Sequence, residues 1–224
     1  EVAEFRLGLG DPQVCVDPVV NGIDTAFYDP VGVGPAPYAG EAGPHLVFTG
    51  QMDYAPNVDA VVHFAEAVLP AVQKQLPDAR FHIVGRNPAP AVRALEGRAG
   101  VHVVGAVDDI RPWIGSADMV VAPLRIARGI QNKVLEAMAM ARPVIASGAA
   151  AEGIVAQSGA HFMVARDDAA MVDAVCALAA DQDRAAAIGA AARAHMLKHY
   201  QWDAQLAPLL AWLDQPPALV PSAA

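Results

Sequence analysis

Three short stretches constrain this chain more than anything else in it: Leu46-Val47-Phe48-Thr49-Gly50, Phe81-His82-Ile83-Val84-Gly85 and Val101-His102-Val103-Val104-Gly105. Each is apolar almost throughout, and each closes on glycine. A strand with one wet face alternates polar and apolar residues; one that is apolar at nearly every position is covered on both faces. Residues 119–122, 143–147 and 161–165 continue the series, for about six strands. Helical patterns separate them. Asn57, read as an N-cap, opens one that carries Val58, Val61, Val62, Ala65, Val68, Leu69 and Val72, with Pro70 expected to bend or restart it. Residues 91–98, 109–115, 130–140, 168–180, 184–199 and 203–213 read as further helices. Apolar strands alternating with helices predict an α/β fold: a Rossmann-like, doubly wound parallel sheet with a helical C-terminal end. Ligands of such sheets sit beyond the carboxyl ends of the strands, where Gly50, Gly85 and Gly105 fall. Those glycines either let backbone approach a ligand or only permit tight strand-to-helix turns.

The flanks are less regular. Val14-Cys15-Val16 and Val19-Val20 are short β-favouring runs broken by Asp17-Pro18, Asn21-Gly22 is a turn pair, and residues 29–44 form a Gly/Pro-rich loop. Residues 1–11 read as the tail of a helix that lacks its start, so the expectation is a chain cut at a domain boundary. Residues 1–20 would then be an interdomain segment left from a missing N-terminal domain. Residues 21–200 would be the Rossmann-like domain, and 201–224 a C-terminal helix and frayed tail. At 54% hydrophobic and 17% charged residues the chain has ample material for a core. No apolar run is long enough to span a membrane and no signal peptide is visible. Cys15 and Cys176 lie far apart in no metal-like spacing, which points to a reduced, cytoplasmic setting. A net charge of -9 argues against nucleic acid as a partner.

The segment richest in chemistry is PLRIARGIQNKVLEAMAMARP, residues 123–143. It leaves the fourth strand with Arg125 and Arg128, and Gly129, Ile130 and Gln131 stand at the mouth of a helix that carries Lys133. Free amides at a helix start attract anions, and adjacent cations strengthen the site for a diphosphate. Glu136 stands three residues past Lys133, about one turn on, where a carboxylate can accept from both hydroxyls of a ribose. The alternative is an ordinary i,i+3 surface pair on an alanine-rich helix.

At this point the sequence resembles the C-terminal domain of retaining GT-B glycosyltransferases of the group 1 (family 4) type. The matching pieces are Asn21-Gly22-Ile23-Asp24, Phe48-Thr49-Gly50, Ile83-Val84-Gly85, Gly105 with Val107, Lys133-Val134-Leu135-Glu136-Ala137-Met138-Ala139 and Pro143-Val144. RGIQNKVLEAMAMARPVIA, with FTGQMDYAPN upstream, is especially similar to sugar transferases of exopolysaccharide loci linked to PEP-CTERM/exosortase sorting. The resemblance implies transfer of a sugar from a nucleoside-diphosphate sugar to a saccharide or lipid-linked acceptor, in exopolysaccharide or cell-envelope synthesis. No cofactor and no metal are expected; the nucleotide sugar is the donor substrate. Glu136 matches the second glutamate of the family's E-x7-E motif and would bind ribose. Lys133 and the amides around Gly129 would face the diphosphate. Gly85, Arg86, Val107 and Asp108 would flank the base, and Gly50 with Gln51 would form the strand-end glycine loop. Acceptor binding and the catalytic residues would belong to the missing domain, with peripheral membrane association of the full-length protein at the inner face of the bacterial membrane. The fragment alone would bind nucleotide weakly and be inactive.

Two departures from the family pattern stand out. Arg128 occupies the place of the first motif glutamate, and uncharged Gln51 and Asn57 occupy the places of a common Arg/Lys phosphate pair. The expectation is that Arg125, Arg128 and Lys133 supply that charge instead. A nucleotide-sugar epimerase of the same architecture and a non-catalytic assembly partner remain as alternatives. His195 and His199 at i,i+4 read as a solvated helix face rather than a metal site. His82 and His102 read as hydrogen-bonded strand histidines. Trp113, just past the base-flanking segment, could stack on a base or anchor the core.

Overall fold

The structure is a computed structural model that describes residues 5, 7, 8, 19–35 and 37–214. Six strands form one sheet: β1 (His45–Thr49), β2 (Arg80–Val84), β3 (Val101–Gly105), β4 (Met119–Ala122), β5 (Val144–Ser147) and β6 (Met163–Ala165). All pairings are parallel, in the spatial order β3-β2-β1-β4-β5-β6. Parallel neighbours need crossovers, and helices supply them. After β1, α1 (Ala55–His63) runs through a π-helical turn (Phe64–Val68) into α2 (Leu69–Gln73). Then come α3 (Pro90–Arg93), α4 (Arg111–Gly115), α5 (Asn132–Ala139), α6 (Gly148–Ala151), α7 (Asp168–Ala180), α8 (Gln182–His199) and α9 (Trp202–Leu213). The order reverses direction between β1 and β4, the switch point at which open α/β sheets take ligands.

The apolar runs fold as their composition requires. Leu46, Val47 and Phe48 of β1 are fully buried, as are Phe81, Ile83 and Val84 of β2. Burying each such side chain contributes about 1.5–3 kcal/mol. Pro70 has no N–H to give, and the helix restarts around it: the π-helical turn precedes it and Pro70 falls in the first turn of α2. Gly189 of α8 lies against the turn after α5, where a Cβ would stand 2.2 Å from the Ala141 carbonyl oxygen, so only glycine allows those helices to approach so closely.

Several boundaries differ from the sequence reading. Asn57 is not an N-cap: Tyr54 holds that position, with Pro56 in the first turn, and Asn57 lies buried inside the helix. The helix expected from residue 130 starts at Asn132, with Gln131 as its N-cap. The helix expected over 91–98 is the single turn of α3. The turn α6 was not anticipated; Gly-Ala-Ala-Ala has no apolar period, and Ser147 starts the helix by accepting from the Ala150 amide at 3.1 Å. Val19 and Val20 join no strand among the described residues. Residues 14–16 with Cys15, most of residues 1–11 and the tail 215–224 lie outside the described residues. At the domain entry, the Ile23 amide donates to the Tyr200 carbonyl at 2.7 Å, and a Cβ on Gly22 would meet the Trp202 ring at 2.7 Å, so residues 22–23 and the start of α9 hold each other.

His82 packs in an aromatic stack across β1, β2 and β3, between Tyr38 at 4.6 Å and His102 at 5.0 Å, and shares a 2.9 Å hydrogen bond with His45. Trp113 belongs to this stack, tilted 6.0 Å from His82, and does not line the cleft described below. His195 sits within hydrogen-bond distance of the Val155 carbonyl and stacks on His161. Among the described residues no group of three His, Cys, Asp or Glu is arranged to hold a metal ion, and no helix is long and apolar enough to cross a membrane.

Candidate functional site

At the carboxyl ends of β1 and β2 the two backbones touch. A Cβ on Gly85, whose φ is 157°, would fall 1.6 Å from the Gly50 carbonyl oxygen. Gly85 is therefore glycine because the two strand ends pack against each other. Above this contact opens a cleft of about 840 Å³. Thr49, Gly50, Gln51 and Tyr54 line it after β1, Gly85 and Arg86 after β2, and Val107 and Ile110 after β3. Ile130, Gln131, Asn132, Lys133 and Glu136 close it from the start of α5, and Tyr28 reaches in from the entry segment.

The first turn of α5 is open to an anion. Gln131 does not cap it; its side-chain amide donates backwards to the carbonyls of Arg128 and Gly129 at 3.3 and 3.1 Å. The amides of Asn132 and Lys133 thus begin a helix with no intrahelical acceptor. The Lys133 ammonium donates to Asn57 Oδ1 at 2.6 Å and sits 4.6 Å from the Phe48 ring centroid. Burial lowers its pKa to about 8, against the pull of Glu136 in the other direction. Burial raises the Glu136 carboxyl, while hydrogen bonding from Tyr28 and the charge on Lys133 draw it back down. Tyr28, raised in turn by burial and by Glu136, is held by Arg193, which donates to the Tyr28 and Ala139 carbonyls and to Asp29 Oδ2. The Thr49 hydroxyl is buried beside the cleft with no hydrogen-bond partner among the described residues.

Gly50, Gln51, Gly85, Arg86, Val107, Ile130, Gln131, Lys133 and Glu136 therefore meet in one cleft. Four other expected residues do not line it. Arg125 is drawn away by Asp59 of α1, to which it donates through Nε at 2.9 Å and through its terminal nitrogen, and it lines a separate hollow over β4–β6. Arg128, Gly129 and Asp108 are exposed and outside the lining. The cleft's own cations are Lys133 and Arg86. Sequence reasoning missed Tyr28, which Arg193 holds from a distant segment; Asn57, noted only as an uncharged residue at the place of a phosphate-binding cation, enters the cleft because its helix face is buried. A further hollow of about 710 Å³ opens at the amino ends of the strands, around Arg142 and Asp118, the end away from the switch-point crevice.

The sheet order and the cleft define a Rossmann-like domain of the GT-B type. Residues 43–181 match the family model described as glycosyl transferases group 1. The chain belongs to that family of glycosyltransferases. It is 32% identical over 208 residues to the alpha-maltose-1-phosphate synthase of Mycolicibacterium smegmatis, a match covering 82% of this chain and 52% of that protein. It is 32% identical over 160 residues to the GDP-mannose-dependent alpha-(1-6)-phosphatidylinositol monomannoside mannosyltransferase of Mycobacterium tuberculosis, covering 65% of this chain and 42% of that one. The crystal structure of Anabaena HepE in complex with UDP and glucose superposes with a TM-score of 0.71 at 16% identity, covering 88% of this chain and 56% of that one. The chain spans about half the length, or less, of the relatives it matches.

Proposed function

We propose that this chain is the donor-binding half of a retaining hexosyltransferase, and that its cleft holds a nucleoside-diphosphate sugar. The observation that carries this is the convergence of Lys133 and Glu136, one turn apart on α5, on one cleft at the switch point. Glu136 accepts the ribose hydroxyls, with Tyr28 beside it. The Asn132 and Lys133 amides and the Lys133 ammonium face the diphosphate, whose negative charge grows as the glycosidic bond breaks. Preorganised donors aimed at that charge stabilise the transition state more than the ground state. Gly85 and Val107 form the wall for the base. The acceptor, a saccharide or lipid-linked chain, and any peripheral contact with the inner face of the membrane are assigned to the part of the protein outside this chain. The exopolysaccharide role and the PEP-CTERM/exosortase setting rest only on the wording of the 128–146 and 48–57 segments. The matched family favours a transferase over the epimerase alternative.

The test is calorimetric titration of the chain with UDP, GDP and ADP. At least one should bind, and Glu136→Ala should weaken it on the order of tenfold to a hundredfold, the range for losing hydrogen bonds to a charged acceptor. Unchanged affinity in Glu136→Ala would refute the ribose assignment.

A further inference from the structure

Two side-chain amides on the turn and helix after β1 each hold a cation that arrives from another element. Asn57 Oδ1 accepts from the Lys133 ammonium of α5 at 2.6 Å, while Asn57 Nδ2 donates to the Gln51 carbonyl at 2.9 Å. Gln51 Oε1 accepts from the Arg86 guanidinium, just beyond β2, at 3.2 Å. Asn57 is 5% exposed and cannot swing away. The missing side chain at Gly50 makes room for this arrangement: a Cβ there would stand 2.7 Å from Asn57 Nδ2 and 3.4 Å from the Lys133 nitrogen.

The chemical identity of the two partners matters. Arg80, Arg98, Arg111, Arg125 and Arg193 are each paired with a carboxylate, which fixes the side chain and cancels its charge. No ion pair joins Lys133 or Arg86 to a described residue. A neutral amide oxygen fixes a cation's direction and leaves its whole charge for an incoming anion. The buried Thr49 hydroxyl at the same strand end, without a hydrogen-bond partner among the described residues, is a further donor available to an anion there. We infer that Asn57 and Gln51 are positioning residues that aim Lys133 and Arg86 at the two phosphates of a nucleoside diphosphate in the cleft. This rests on the cleft being the nucleotide-sugar site. It also replaces two sequence expectations: that Arg125 and Arg128 supply the charge, and that Arg86 flanks the base.

The experiment is a pair of double-mutant cycles, read as affinity for whichever of UDP, GDP and ADP the chain binds. The cycles are Asn57→Ala with Lys133→Ala, and Gln51→Ala with Arg86→Ala. Each single substitution should weaken binding on the order of tenfold, and each double should be no more than about twofold weaker than its cation single, because the amide acts through the cation. A pH series supplies a readout that loss of packing would not move. The ammonium is acted on by Glu136 of its own helix, by Asn57 of α1 and by the Phe48 ring of β1, with Tyr28 bearing on Glu136. Wild-type affinity should fall as pH rises through about 8. In Asn57→Ala the fall should begin at lower pH, because an acceptor that favours the charged form is gone. If the wild type binds none of the three nucleotides, both this inference and the reading of the cleft fail. If it binds and both cycles are additive, the amides position nothing and only this inference fails. Should Asn57→Ala not fold, the cycle on the exposed Gln51 and Arg86 decides alone.

Discussion

Glu136 is a carboxylate kept where the ligand-free fold would prefer a neutral group. Its folded pKa is raised by burial, so the folded protein holds this proton more tightly than the unfolded chain does, and ionisation at neutral pH opposes folding. Glu136→Gln should therefore raise the melting temperature of the ligand-free chain by about 2 °C while weakening nucleotide binding about tenfold or more. Scanning fluorimetry beside titration checks both; a stability loss with unchanged affinity would mean that the residue serves only packing. Lys133 and Glu136 were legible in the sequence because one helical turn sets two side chains on one face. Arg125 was not, because loop spacing says nothing about which way a side chain leaves, and Asp59 on α1 captures it. Asn57 was read as a cap by residue type alone, whereas the extended Tyr54 and Pro56 begin the helix and turn Asn57 inward.

At the scale of elements, the strands were readable because residues buried on both faces leave no alternation to confuse with a helix. Their closing glycines also marked the ends, and for Gly85 the structure supplies the reason. Gly85→Ala would drive a methyl into the Gly50 carbonyl and should destabilise the domain by about 2–3 kcal/mol or more. Denaturant titration measures this; a loss below about 0.5 kcal/mol would show that the β1 and β2 ends separate freely. Short helices were the hard cases. α3 and α6 have four residues each, too few for any period, and depend on tertiary packing and on the Ser147 cap. The two-residue error at the start of α5 arose because Gly129, at a φ of 64°, and extended Gln131 keep the loop going past the last turn residue.

For the whole molecule, the histidine stack links acidity to folding. Burial, then the neighbouring His102 and His45, hold His82 down to about 3, far below an ordinary imidazole. A base depressed in the folded state takes up its proton on unfolding. Stability is thus fully present above about pH 6.5 and declines below it, by up to about 1.4 kcal/mol per pH unit for this one group. Unfolding free energies at pH 7 and pH 5 should differ less in His82→Gln than in the wild type; equal differences would clear this residue of any part in acid sensitivity. Elsewhere the molecule is less closed. α9 buries none of its residues and leaves Leu210, Trp212 and Leu213 exposed, which nothing in its sequence period foretold.

The contact between the first two strand ends also bears on how such a protein can change. Where one main chain rests on another, the depth beneath a bound molecule is fixed by peptide geometry. No exchange of side chains can deepen or flatten it. On the proposed reading of the cleft, a shift in which sugar or base is accepted would have to arise higher up, at residues such as Tyr28, Tyr54 and Ile110, and directed libraries aimed at new donors belong there.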